Sequence, residues 1–113
     1  MTRVRYEPKL PALEFSGHAG AGVRGQDPVC AALSMLSMTL ERRVTELAEH
    51  CFPAISRAPG RFQAVCRPEE DFAGQCRECF ETVAAGLALL AEERPEHVRF
   101  RRQEDANEED WEA

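Results

Sequence analysis

Prolines at positions 28, 53, 68 and 95 fence off two stretches of helical periodicity, and that fencing leaves few folds open to the chain. In the first stretch Leu33, Leu36, Leu40, Val44 and Leu47 recur at three- and four-residue spacings, making one apolar stripe over roughly five turns. Asp27 is a favoured N-cap residue, and Pro28 takes the first helical position, where its missing N–H costs nothing. This helix should fade near His50, since Pro53 cannot continue it. In the second stretch Phe72, Cys76, Cys79, Phe80, Val83, Leu87 and Leu90 form a similar stripe that ends before Pro95.

Short segments of two-residue period surround these helices. Residues 2–7 put Val4 and Tyr6 on one face and Arg3 and Arg5 on the other. A turn over Lys9–Pro11 leads into Ala12–Ser16, with Leu13 and Phe15 sharing a face, so the two strands form a hairpin. Ala54–Arg57 and Arg61–Arg67 flank the turn Ala58-Pro59-Gly60, with Phe62, Ala64 and Cys66 on one face. Glu96–Gln103 reads as a closing strand, with Val98 and Phe100 on opposite faces. The order β-β-α-β-β-α-β predicts an α+β fold: a two-layer sandwich, a mostly antiparallel sheet with two helices on one face.

The chain has 113 residues, room for one domain. Its net charge of −6 is unevenly placed. Six of the 20 acidic residues lie in 104–113, which has no base, so the remaining 14 balance the 14 basic residues. We therefore expect a neutral domain over 1–103 and an acidic, solvated tail over 104–113. A neutral body argues against direct nucleic-acid binding. No apolar run approaches the ~18 residues of a membrane span, and the first residues lack the apolar core of a signal peptide. A cytoplasmic location follows as the expectation, with five cysteines that need not pair.

Chemistry concentrates between Ser16 and Ser34. Residues 17–26 hold four glycines, making this the most flexible stretch of the body. Cys30 falls at the third position of the helix capped by Asp27, where free N–H groups and the helix dipole favour a thiolate. The same N–H groups could donate to an oxyanion. His18 stands just before the glycine-rich loop, which can fold back to bring imidazole and thiol together. Gly20, Gly22 and Gly25 would let the loop approach a substrate backbone. On these grounds alone, a buried packing cysteine and a turn histidine remain open readings.

Gly-His-Ala, a glycine-rich loop and then Asp-x-Val-Cys-Ala-Ala-x-Ser together resemble the ribosomal-processing cysteine protease family (Prp). The likeness extends over most of the chain, through the Leu-Leu-Ala-Glu-Glu-Arg-Pro-Glu-His-Val stretch and the closing strand. It implies that His18 and Cys30 are catalytic and that Asp27 and Ser34 support them, with no metal and no organic cofactor. It also implies a homodimer. The implied substrate is the N-terminal extension of ribosomal large-subunit protein L-twenty-seven, cut after a pair of bulky apolar residues and so needing an apolar pocket. Pro28 stands where relatives usually carry an aliphatic residue, and the loop here lacks their aromatic residues.

Other signals are weaker. Cys76-x-x-Cys79 suggests zinc or a redox pair, but a zinc site needs four ligands and both cysteines fall on an apolar stripe. Cys51 and Cys66 read as packing residues, His50 as a helix-end residue, His97 as a surface residue, and Arg101 and Arg102 as a solvated strand edge. Two alternatives to a protease are a non-catalytic ribosome-assembly or binding protein on the same fold, and a redox thiol protein using Cys76 and Cys79.

Overall fold

The structure, a computed structural model, describes residues 1–23, 25–104 and 111. Five strands form one sheet in the order β3-β4-β2-β1-β5. They are β1 (Thr2–Glu7), β2 (Ala12–Ser16), β3 (Ala54–Ala58), β4 (Arg61–Val65) and β5 (Val98–Arg102). Helices α1 (Pro28–Glu46) and α3 (Ala73–Glu93) carry the two apolar stripes, with a short α2 (Ala48–Cys51) after α1. The architecture is the expected α+β sandwich.

Every neighbouring pair of strands is antiparallel except β1 and β5, which run parallel from Thr2↔Val98 to Tyr6↔Arg102. That register puts Val98 beside Thr2 and Phe100 beside Val4, on one face, as the two-residue period of a strand requires. The expectation of opposite faces was therefore wrong. Opposed pairs Val4–Phe15, Tyr6–Leu13 and Phe15–Phe62 build the helix-facing layer. Phe15 and Phe62 meet at 5.3 Å between ring centres, and Tyr6 stacks on Phe80 of α3 at 6.3 Å. Desolvation raises the Tyr6 phenol's pKa above its ordinary value, and the Glu81 carboxylate adds to this.

The helices meet each other as well as the sheet. Leu36 of α1 lies over Gly86 of α3, where an added Cβ would come within 2.9 Å of Leu36 Cδ2. Helix α1 ends at Glu46, earlier than its apolar period suggests. Leu47 leaves helical geometry, and Phe52 takes a left-handed conformation at φ 46° to start the turn into β3. A single turn of 3₁₀ helix, Glu70–Phe72, precedes α3. His50 stacks flat on Phe72 with 3.8 Å between ring centres.

The tail expectation concerns residues that, apart from Glu104 and Trp111, lie outside those described. Trp111 is buried on the sheet face opposite the helices, against Ala12 and Val65, with Leu10 alongside. Among the described residues, no helix is long and apolar enough to cross a membrane.

Candidate active site

The site lies where β2 runs out and α1 begins. Asp27 caps α1 with one carboxylate oxygen, which accepts the N–H groups of Val29 at 2.9 Å and Cys30 at 3.1 Å. Its other oxygen accepts the Ala21 N–H at 2.9 Å, tying the glycine-rich loop to the helix start. Desolvation works against the ionised carboxylate, but the Cys30, Ala21 and Val29 N–H groups and the Cys30 thiol outweigh it. The Asp27 pKa therefore falls below its ordinary value.

This geometry corrects one expectation. Pro28 has no N–H, Val29 and Cys30 donate to the Asp27 side chain, and the Ala31 N–H goes to the Asp27 carbonyl at 3.1 Å. The first turn of α1 therefore has its donors engaged and is not an open oxyanion hole. The cap that fixes Cys30 also consumes them.

His18 reaches the site from the end of β2. Its imidazole rests on Gly60 in the β3–β4 turn, where an added Cβ would lie 2.8 Å from Nε2. The Gly17 N–H donates to the Gly60 carbonyl at 2.8 Å, and the Thr2 hydroxyl donates to the Gly17 carbonyl at 3.1 Å. On the other side of His18, the His97 Nδ1 lies 2.9 Å from the carbonyl oxygen of buried Ala19, so that nitrogen carries the proton and donates. His97 is thus a brace for the histidine strand rather than a surface residue. Neither Gly60 nor His97 stood out in the sequence. A glycine in a predicted hairpin turn and a histidine next to a strand carry no local sign of a partner elsewhere in the chain.

His18, Cys30 and Ser34 line two adjoining cavities. The smaller, about 210 Å³, includes Phe15, Leu33 and Phe62, with Arg57 and Arg61 also on its wall. The larger, about 550 Å³, is enclosed by Gly20, Gly22, Gly25, Asp27 and Pro59. All seven expected site residues thus converge on one region. Among the described residues, no hydrogen bond joins His18 to Cys30, and the thiol faces Asp27. Ser34 sits one turn beyond Cys30, and its carbonyl accepts the Ser37 hydroxyl at 2.8 Å. Arg57 donates to that same Ser37 hydroxyl at 3.0 Å and to Glu41 at 2.9 Å, packing across Phe62.

The other cysteines are elsewhere. Cys51, Cys66 and Cys76 are fully buried under α3. Burial, and a hydrogen bond with Cys76, push the Cys51 thiol up to about 12. Hydrogen bonding to Cys66, then burial, raise Cys76 further. Among the described residues, no group of three or more possible ligands is placed to hold a metal ion.

A capped, partly exposed cysteine and a histidine lining the same loop-walled cavity, on this sheet, define the class: a cysteine protease. The chain belongs to the cysteine protease Prp family, whose model matches residues 1–99. The fold is that of an S. aureus ribosomal processing protease Prp solved with a covalently linked product peptide. The TM-score is 0.77 at 23% identity, covering 91% of this chain and all of that one. The same S. aureus protein with a substrate peptide gives 0.71 at 22% identity and the same coverage. The protein SMU.848 from Streptococcus mutans gives 0.62 at 28%, covering 90% of this chain and 93% of that one. No curated protein matches the chain.

Proposed function

We propose that this protease is a cytoplasmic, homodimeric endopeptidase that removes the N-terminal extension of ribosomal large-subunit protein L-twenty-seven, with Cys30 as nucleophile and His18 as general base. The observation that carries the reading is the convergence of Cys30 and His18 on a cavity with an apolar lining of Phe15, Leu33 and Phe62. Such a lining suits the bulky apolar residue before the cut that the family resemblance implies. The S. aureus relative is solved with a substrate peptide and with a covalently linked product peptide, which accords with acyl transfer to a cysteine.

In this reading substrate binding draws His18 toward Cys30, since catalytic contacts in empty sites are often loose and tighten on binding. His18 takes the thiol proton and Cys30 attacks the scissile carbonyl. His18 then returns the proton to the leaving amine, and water hydrolyses the acyl-enzyme. With the first-turn N–H groups of α1 engaged by Asp27, the oxyanion donors come from elsewhere on the cavity wall. The loop backbone at Gly20 and Gly22 lines that wall. Domain 1–103 carries all of this machinery. Incubation with the extended ribosomal protein, read by intact mass, tests the proposal. One product pair cut after bulky apolar residues is expected; an unchanged substrate overturns it.

A further inference from the structure

The helices cover one face of the sheet, and the chemistry of the other face is unusual for a surface left to solvent. The parallel register of β1 and β5 sets Arg3 beside Arg99 and Arg5 beside Arg101, all four pointing away from the helices. Like charges on directly paired positions destabilise a sheet unless an anion lies between them. Glu14 answers Arg5 at 2.9 Å and Arg61 at 3.4 Å, while Arg3, Arg99 and Arg101 remain exposed. Beside this patch, Ala12 and Val65 also point away from the helices yet are completely buried. What covers them is Trp111, itself 4% exposed, with the Arg5 guanidinium 4.0 Å from the centre of the indole ring.

We propose that this outer face is the docking surface for the chain's own acidic C-terminal segment, with Trp111 as its anchor and the arginine patch as its electrostatic complement. The segment leaves β5 with six acids and no base over 104–113. Its first carboxylate, Glu104, meets Arg102 at 3.1 Å on the helix side of the sheet, where Arg102 also holds Glu81, and so lies outside the patch. Eight residues lie between Arg102 and Trp111, and the nine steps from one to the other can span up to ~30 Å. Crossing from β5 over β1 and β2 to β4 requires only about 15 Å. The indole supplies apolar cover and a face for a cation, and the acids match a face of arginines.

Trp111 is the only tryptophan, so its fluorescence in the full chain reads the docking directly. We expect blue-shifted emission and acrylamide quenching several-fold weaker than in the denatured protein. Arg5→Met and the double variant Arg99→Glu/Arg101→Glu should each raise quenching toward the denatured value. So should about 1 M NaCl, where screening acts within ~3 Å. Cys30 alkylation should keep its rate throughout, showing that the domain stays folded. Quenching as strong as in the denatured chain overturns the proposal. So does quenching indifferent to salt and both variants, which would leave an apolar seat without the charge match. Protection that vanishes on dilution would place the segment on a second copy and also overturn it.

Discussion

Cys30 and the trio Cys51, Cys66 and Cys76 carry the same sulfur atom in opposite surroundings. Cys30 stands partly exposed at a helix start, on a cavity that His18 also lines. The trio lies fully buried, and the Cys51 and Cys76 thiols are shifted toward the protonated form. Reactivity in this protein is therefore assigned by position: α1 presents one thiol to solvent at its capped end, while α3 seals Cys76 beneath it. The fifth thiol, Cys79, is partly exposed like Cys30, but desolvation raises its pKa above the ordinary value.

The largest test of that contrast is removal of each type. Cys30→Ala should lower peptide turnover by about 10⁶-fold, the scale seen when a nucleophile is deleted. Cys76→Ser should leave turnover per folded molecule unchanged and instead cost about 1–3 kcal/mol in denaturant unfolding, because a hydroxyl replaces a thiol in the core. Loss of activity in folded Cys76→Ser would break the division.

Moving the histidine should have the next largest effect. Gly60→Ala sets a methyl against the His18 ring at a position whose φ is +69°, and displacing a catalytic group by about 1 Å can cost ~100-fold. A fall in kcat with KM little changed is expected, with slower alkylation of Cys30. Full activity would show that the ring has room to move.

Asp27 separates capping from catalysis. One oxygen caps α1 and the other accepts Ala21 N–H, so Asp27→Asn, with a single acceptor, should keep the cap, the fold and much of the turnover while releasing the loop at Ala21, and Asp27→Ala should lose about 1 kcal/mol of stability. A stable Asp27→Asn protein without activity would restore the charged, His18-orienting role. The lowered Asp27 pKa adds a pH effect: stability is present above the unfolded value near 4 and declines as pH falls through the lower folded value. Asp27→Asn should flatten that acid limb.

The smallest effect lies at alkaline pH. The unfolded Cys51 thiol ionises near pH 9 but the folded one only near 12, so folding stability should decline across that interval. Cys51→Ala should lessen the slope, and a melting series from pH 8 to 10 would show it.

Much of this was legible in sequence because it is local. Proline fences, apolar stripes and the Asp27-Pro28 start mark α1 and α3, and a thiol at a helix start is a readable sign. What escaped depends on partners far along the chain. Leu47 continues the apolar period of α1 yet leaves the helix, because the chain must turn toward β3. Gly60 matters only because β3–β4 folds beneath His18, and His97 only because β5 lies beside β1. The N–H groups that seemed available at Cys30 are engaged by the residue that announced the helix.

The pairing of β1 with β5 has a consequence for the time at which activity arises. Thr2 bonds to Gly17 and pairs with Val98, and His97 holds Ala19. The segment carrying His18, just beyond β2, is thus clamped by residues from two strands far apart in the sequence, β1 and the start of β5. During translation at ~5–20 residues per second the nascent chain can form α1 and its cap early. It cannot complete the histidine side until residue 102 clears the ribosome. Contacts this distant in sequence also slow folding. The surroundings of His18 are therefore completed only when β5 pairs with β1.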